Sequence, residues 1–230
     1  MILDDENILI QAAIDSAHYE MVDLGLSVKW ANKNVGASDP EDTGLYFQWG
    51  NTVGYTADQV GRDKVFNWDN YKFGTCLNLT KYNSADGLKV LEPIDDMVTT
   101  YIGSQYRTPT IEEIKELVNN TTQTFIDIDG NEYNRVQVQH GAINEGKLKG
   151  IRFTGSNGNS IFMPASGHCY ETELSDICIS GGYWSSNLSG GLGSSAQDLY
   201  FYDFGGLGTG ICERFYGLTI RGVEKIINES

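Results

Sequence analysis

Three aromatic segments dominate the stretch from Gly181 to Val223: Gly181-Gly-Tyr-Trp-Ser-Ser-Asn, Leu199-Tyr-Phe-Tyr and Arg214-Phe-Tyr-Gly-Leu-Thr-Ile-Arg. Runs rich in Gly, Ser and Asp separate them. Alternating aromatic and β-branched residues indicate strands, and glycine clusters indicate turns. Tyr and Phe give a large contact area at low entropy cost, while Ser, Gly and Asn adapt their hydrogen bonds. The stretch therefore predicts a β frame carrying binding loops, and it contains no set of acid, base and nucleophile.

Length and composition predict an ordered globular chain. It has 230 residues, of which 40% are hydrophobic and 11% aromatic, enough to bury a full core. The 16 basic and 31 acidic residues leave a net charge of −15. That charge argues against nucleic acid and anionic membrane surfaces as partners, because both require a basic face.

The cysteines and histidines do not have metal-site spacing. Four cysteines (Cys76, Cys169, Cys178 and Cys212) lack a CxxC pair, and the three histidines are widely scattered. We therefore expect no zinc site and no cofactor. Cys169 and Cys178 would form a disulfide if the chain lives outside a cell, and buried free thiols are the alternative.

The amino-terminal segment, residues 1–20, is predicted to contain a helix over residues 4–20. Asp4 or Asp5 can cap it, and Ile10, Ile14 and Ala17 form one apolar stripe. The helix either packs on its own domain or serves as a docking or oligomerisation segment. The acidic start does not match a secretory signal, and no apolar run approaches the roughly 20 residues of a membrane span.

Residues 21–31 are predicted to form one bulged strand or two short ones, and Leu45–Gly50 a further strand. The clearest helix follows Pro109, with Thr110 and Glu113 at the spacing of a capping box. Residues 124–138 predict a hairpin that turns at Asp129-Gly130, and residues 150–164 a second one. The run Asp127-Ile-Asp-Gly-Asn resembles the start of an EF-hand loop, but its glycine comes too early and Val138 occupies the place of the distal Glu. We therefore predict no calcium site there.

An ordered set of motifs resembles the Fibrobacter-type major paralogous domain. The set includes Val22-Asp-Leu-Gly-Leu-Ser-Val-Lys-Trp-Ala, Tyr46-Phe-Gln-Trp-Gly, Arg107-Thr-Pro-Thr, Asn157-Gly-Asn-Ser-Ile-Phe-Met-Pro, Tyr183-Trp-Ser-Ser and Arg214-Phe-Tyr-Gly-Leu-Thr-Ile-Arg. The resemblance spans about residues 21–223. The chain departs from the family pattern at Tyr106, where the family has Trp, and at Gly222, where it has Pro.

The resemblance implies an α+β, C-type-lectin-like fold with short antiparallel strands, one clear internal helix and long loops. It divides the chain into an N-terminal helical segment (1–20), a lectin-like domain (21–223) and an acidic tail (224–230). Tyr183, Trp184 and residues 214–221 are expected to form the frame. The residues expected on or near exposed, ligand-binding loops are Tyr170, Asn187, Leu188, Leu192, Gln197, Asp198, Tyr202, Asp203, Phe204 and Glu213.

The resemblance also implies an adhesion module of gut Bacteroidetes and their phages. An adhesion fold with no visible export signal favours a non-enzymatic virion protein: a fibre, receptor-binding or capsid-decorating subunit. Its expected partners are other virion proteins, through residues 1–20, and a host surface protein or glycan, through the C-terminal loops. A homo-oligomer is expected, and a closed trimer suits a fibre. The alternatives are a bacterial cell-surface adhesin whose signal has been removed and, in a different class, a formylglycine-generating-type oxidoreductase using Cys169, Cys178 or Cys212.

Overall fold

The computed structural model describes residues 19–61, 65–190 and 193–225. The predicted helix over residues 4–20 lies almost wholly outside the described residues, as do Leu192 and most of the acidic tail. Within these ranges the chain is a sheet-rich α+β protein with few helices.

Four sheets organise the described chain, with strand orders β1-β2-β15-β5, β3-β4, β7-β6-β8-β9 and β11-β10-β12-β13-β14. The strands are β1 (Met21–Val22), β2 (Val28–Ala31), β3 (Gly74–Thr75), β4 (Asn78–Leu79), β5 (Tyr106–Arg107), β6 (Thr122–Asp127), β7 (Glu132–Tyr133), β8 (Leu148–Thr154), β9 (Ser160–Pro164), β10 (Ser166–Tyr170), β11 (Glu173–Ile177), β12 (Ser180–Leu188), β13 (Ser195–Tyr202), β14 (Leu207–Glu213) and β15 (Val223–Lys225). All pairs are antiparallel except β10 with β12. The five-stranded sheet, β10 to β14, is called the C-terminal sheet below.

The helices are α1 (Met97–Tyr101), α2 (Ile111–Asn120) and α3 (Arg135–Gln139), with a 3-10 turn at Trp68–Asn70. The α2 helix was predicted, and its capping box between Thr110 and Glu113 is confirmed. The expectation of one clear internal helix omitted α1 and α3. Both have only five residues, too few for a helical periodicity to show in the sequence.

Residues 21–31 form two short strands, separated by a turn in which Gly25 has a positive φ of 75°. Both predicted hairpins form, as β6–β7 and β8–β9. The second strand of the first hairpin ends at Tyr133, because Asn134 and Gln137 form a capping box that starts α3. The predicted strand at Leu45–Gly50 is wrong: Tyr46 and Phe47 make only isolated bridges, to Tyr55 and Leu218.

The apolar core forms two large clusters. One combines apolar side chains of α2, β2, β8 and β13, with Trp30, Ile114 and Phe153 among its buried residues. The other gathers the aromatic residues Trp49 and Trp184 with Leu218 and their neighbours. Tyr183, Trp184 and most of residues 214–221 are buried, as expected for the frame.

The segment after β14 returns through the C-terminal sheet. The backbones of Cys169 and Gly217 exchange two hydrogen bonds, and Thr219 bonds to β12 at Gly182 and Trp184. The strands β10 and β12 pair only at Gly167 and Gly181. Residues 217–219 therefore lie between the ends of β10 and β12, and this separation shapes the cavity described next.

Candidate functional site

An open cavity of about 350 Å³ lies on one face of the C-terminal sheet. That volume lies within the range of small-molecule sites, which starts at roughly 300 Å³. Residues from β10, β12, β13, β14 and the returning segment line it: Gly167, His168, Ser180, Gly181, Gly182, Asp198, Tyr200, Tyr202, Ile211, Cys212, Glu213, Tyr216 and Leu218.

The strand register decides which side chains face the cavity. On β13, side chains alternate between faces, so Leu199 and Phe201 enter the core while Asp198 and Tyr200 face the cavity. Asp198 lies opposite Gly210, and Tyr200 opposite Gly208. A Cβ atom at Gly210 would lie 2.8 Å from Asp198 Oδ1 and 2.9 Å from Tyr200 Cδ1. The glycines of β14 thus leave room for the larger side chains of β13.

Asp198 is the buried acid of the site. The residue is 8% exposed, and Oδ1 has no hydrogen-bond partner among the described residues. Burial raises the pKa of its carboxyl to about 7, and the backbone N–H groups of Gly210 and Asp198 itself oppose that rise. Burial therefore destabilises the ionised form of this carboxyl.

Aromatic rings lie in the cavity lining and beside it. Tyr202 stacks on Phe204 with ring centroids 5.0 Å apart and planes at 11°, and Tyr200 lies 5.6 Å from Tyr202. Across β12, Tyr216 lies 5.0 Å from the ring of Tyr170 and 5.8 Å from His168. Phe204 is 63% exposed and Tyr170 42% exposed, so both rings offer surface to a partner.

The cysteine thiols are free, including Cys169 and Cys178, whose pairing the sequence left open. Burial is the main cause that raises the thiol pKa of Cys212, and the nearby charges of Asp198 and Glu213 add to it. Arg214, the cation closest in sequence, does not offset this effect. Its guanidinium donates to the carbonyl oxygens of Lys81 and Tyr82. This environment stabilises the protonated thiol, whereas a nucleophilic cysteine needs the thiolate.

The predicted site residues divide by exposure. Tyr170, Phe204 and Glu213 are exposed; Asn187, Gln197 and Tyr202 are partly buried; Leu188, Asp198 and Asp203 are buried; and Leu192 lies outside the described residues. The structure brings Asp198, Tyr202 and Glu213 together in the cavity lining. Phe204 stacks on Tyr202 beside it and also lines a second cavity with Asp203, and Tyr170 makes a tilted ring contact with Tyr216.

The prediction that these residues lie on exposed loops is wrong for several of them, because β12 and β13 extend further than the sequence indicated. Leu188 pairs with Ala196 and packs in the core. Asn187 Oδ1 accepts a hydrogen bond from Ile111 N, the first N–H of α2, at 2.8 Å. Gln197 Nε2 donates to Leu188 O, holding β12 and β13 together.

Asp203 has a structural partner as well. Its Oδ2 accepts from Gly146 N at 3.0 Å, and the residue is buried. The expectation that Asp203 lies on an exposed loop is therefore wrong: its carboxylate ties the end of β13 to the turn before β8.

Sequence reasoning missed His168, Tyr200 and Tyr216. Tyr200 could have been found, because it shares the period-two face of Asp198 and Tyr202. His168 and Tyr216 gave no such signal, since only the return of residues 217–219 beside β10 brings them to the cavity.

Hydrogen bonds to the Asp127 carboxylate stabilise the turn that resembles the start of an EF-hand loop. The Asp127 carboxylate accepts from the backbone N–H groups of Asp129 and Asn131, from Asn131 Nδ2 and from the Tyr133 hydroxyl. Across the described ranges, no group of three or more His, Cys, Asp or Glu side chains is placed to hold a metal ion. No helix in those ranges has the length and apolar character needed to cross a membrane.

Comparisons of this chain with protein-family models, with curated proteins and with solved structures find no match.

Proposed function

We propose that this chain is a non-enzymatic binding protein whose recognition surface is the cavity face of the C-terminal sheet. The observation that carries the proposal is a concave site on a paired sheet, with a buried acid at its base and aromatic rings in its lining and beside it. Such sites, mostly apolar with a few placed polar groups, are typical of ligand recognition.

The construction of the face supports binding. Its base consists of glycines and paired backbone on β10, β12 and β14, so the shape is largely set before a ligand arrives. At the rim, Tyr170 and Phe204 are held by ring contacts to Tyr216 and Tyr202. Rings fixed in this way lose little side-chain entropy when they contact a partner.

The finer assignment rests on the family resemblance of residues 21–223. It supports a C-type-lectin-like fold and a place in a phage particle, as a fibre, receptor-binding or capsid-decorating subunit. In this arrangement, residues 1–20 contact other virion proteins, and the cavity face meets a host surface protein or glycan. Peptide mass spectrometry of purified particles of the source phage tests the placement, which is wrong if the particles lack this chain.

A binding experiment tests the recognition surface with matched variants. The double variant Tyr170→Ala with Phe204→Ala removes exposed rings at the rim, and Leu77→Ala with Ile94→Ala removes exposed apolar side chains elsewhere. Labelled protein is applied to glycan arrays and to cells of gut Bacteroidetes. We expect the rim variant to lose at least tenfold in apparent affinity while the control binds like wild type. Equal binding by both variants, with unchanged melting temperatures, would refute the assigned surface.

A further inference from the structure

The ionisable groups around Asp198 leave its charge without a cationic partner. Asp198 and Glu213 are the acids of the cavity lining, and no lysine or arginine of the described residues lines it. Arg214 is engaged with backbone oxygens and lies over the rings of Trp49 and Tyr71. The other ionisable groups of the lining are His168 on β10, Tyr200 and Tyr202 on β13, Cys212 on β14 and Tyr216 beyond it. Asp176 on β11 lies outside the lining, where its Oδ2 is 3.7 Å from His168 Nδ1.

A buried carboxyl with an oxygen that lacks a hydrogen-bond partner can avoid an unpaired buried charge in two ways. It can hold a proton, or it can pair with a cation that enters the cavity. The lining also includes Tyr200, Tyr202 and Tyr216, whose ring faces attract cations. An acid at the base and tyrosines around it match the chemistry of an ammonium or guanidinium group better than that of an anion.

We infer that the cavity binds an organic cation, an alkylammonium or guanidinium group such as the end of a lysine or arginine side chain, with Asp198 as its counter-ion. This inference rests on the proposed function and names the ligand chemistry of the same surface. Glu213, a second acid of the lining, adds attraction for a positive charge.

The counter-ion role makes binding depend on pH. Because burial raises the pKa of Asp198 to about 7, its carboxyl is mainly protonated at pH 5.5 and mainly ionised at pH 8.5. A cation that pairs with the ionised form should therefore bind about 30-fold more tightly at pH 8.5 than at pH 5.5. His168 is a second titratable group of the lining, so the two groups have to be separated by variants.

The test is a titration of the nitrogen-15-labelled chain followed by NMR, with n-butylammonium and n-butylguanidinium as probes at pH 5.5 and 8.5. Amide shifts at Gly182 and Gly210, which border the cavity, report the site. We expect saturable binding of at least one probe, stronger at high pH, and no binding of n-butanol. The two probes distinguish a lysine-like from an arginine-like ligand.

Three variants show which residue causes the pH dependence of probe binding. Asp198→Asn keeps the side-chain shape but removes the charge, and it should weaken probe binding at pH 8.5 at least tenfold and abolish the pH dependence. His168→Gln should keep the pH dependence. Asp58→Asn, at an exposed position distant in sequence from the cavity strands, should bind like wild type.

Two outcomes overturn the inference. One is the absence of probe-induced shifts at Gly182 and Gly210 at pH 8.5, and the other is undiminished binding by Asp198→Asn. Saturable shifts with neutral methyl glycosides in place of the cations would assign the cavity to a sugar. Each of these results concerns only the ligand chemistry. The proposed function is tested separately with the double variant of Tyr170 and Phe204.

Discussion

Replacing Asp198 with Asn should make the protein more stable at alkaline pH. The folded state raises the pKa of this carboxyl from 3.8 to about 7, so between these values the folded chain holds a proton that the unfolded chain has released. Because the folded state binds more protons there, stability falls as pH rises from about 4 to 7, and the penalty is fully present above pH 7.

The size of this effect follows from the pKa difference. A shift from 3.8 to about 7 at 1.36 kcal/mol per pKa unit corresponds to about 4 kcal/mol above pH 7. About 1 kcal/mol of that penalty already exists at pH 4.5, so about 3 kcal/mol should develop between pH 4.5 and 8.5. Asn cannot ionise and does not carry this penalty.

Urea unfolding followed by tryptophan fluorescence measures the effect at pH 4.5, 5.5, 6.5, 7.5 and 8.5. The free energy of unfolding of Asp198→Asn minus that of wild type should rise by about 3 kcal/mol across the series. Taking the difference cancels the opposite contributions of carboxyls with lowered pKa values, such as Asp95 and Glu113. The control Asp58→Asn changes an exposed carboxyl, so no burial penalty is removed and this rise should be absent. A constant difference for Asp198→Asn would refute the burial of an unpaired carboxyl.

Three further substitutions test the frame of the site. Gly210→Ala places a Cβ 2.8 Å from Asp198 Oδ1, so ligand binding should be lost and the free energy of unfolding, measured by thermal unfolding, should fall by about 1–3 kcal/mol. The control Gly190→Ala, in open space, should be neutral. Arg221→Met leaves three oxygens, two of them buried and one partly buried, without their donor and should cost about 3 kcal/mol or more in urea unfolding; a loss under 1 kcal/mol would contradict those bonds. Thr110→Ala removes the cap of α2 and should cost about 1 kcal/mol, which Thr110→Ser should largely restore if the cap is the cause.

Part of the fold could be predicted because it depends on interactions between residues that are close in sequence. The capping box at Thr110 and the turn at Asp129-Gly130 involve residues within a few positions of each other, so the sequence displays them directly. The helices α1 and α3 were missed because five residues show no periodicity, although Asn134 and Gln137 already have capping-box spacing.

The candidate site was less predictable, because its shape depends on pairings distant in sequence. Phe204 and Tyr170 could be singled out as aromatics among turn residues. The burial of Asp198 depends on the register of β13 against β14, and the approach of Tyr216 to His168 depends on residues 217–219 lying beside β10. Neither the register nor this return is encoded in a short motif.

A deep mutational scan for cell binding tests the recognition surface most directly, because it works before the ligand has been identified. Yeast cells displaying single variants are sorted for binding to target bacterial cells and, separately, for surface expression. Substitutions that reduce binding without reducing expression should concentrate on the cavity face, at Tyr170, Asp198, Tyr202, Phe204 and Glu213. If such positions instead concentrate on another face, for example around Leu77 or Ile94, the C-terminal sheet is not the recognition surface.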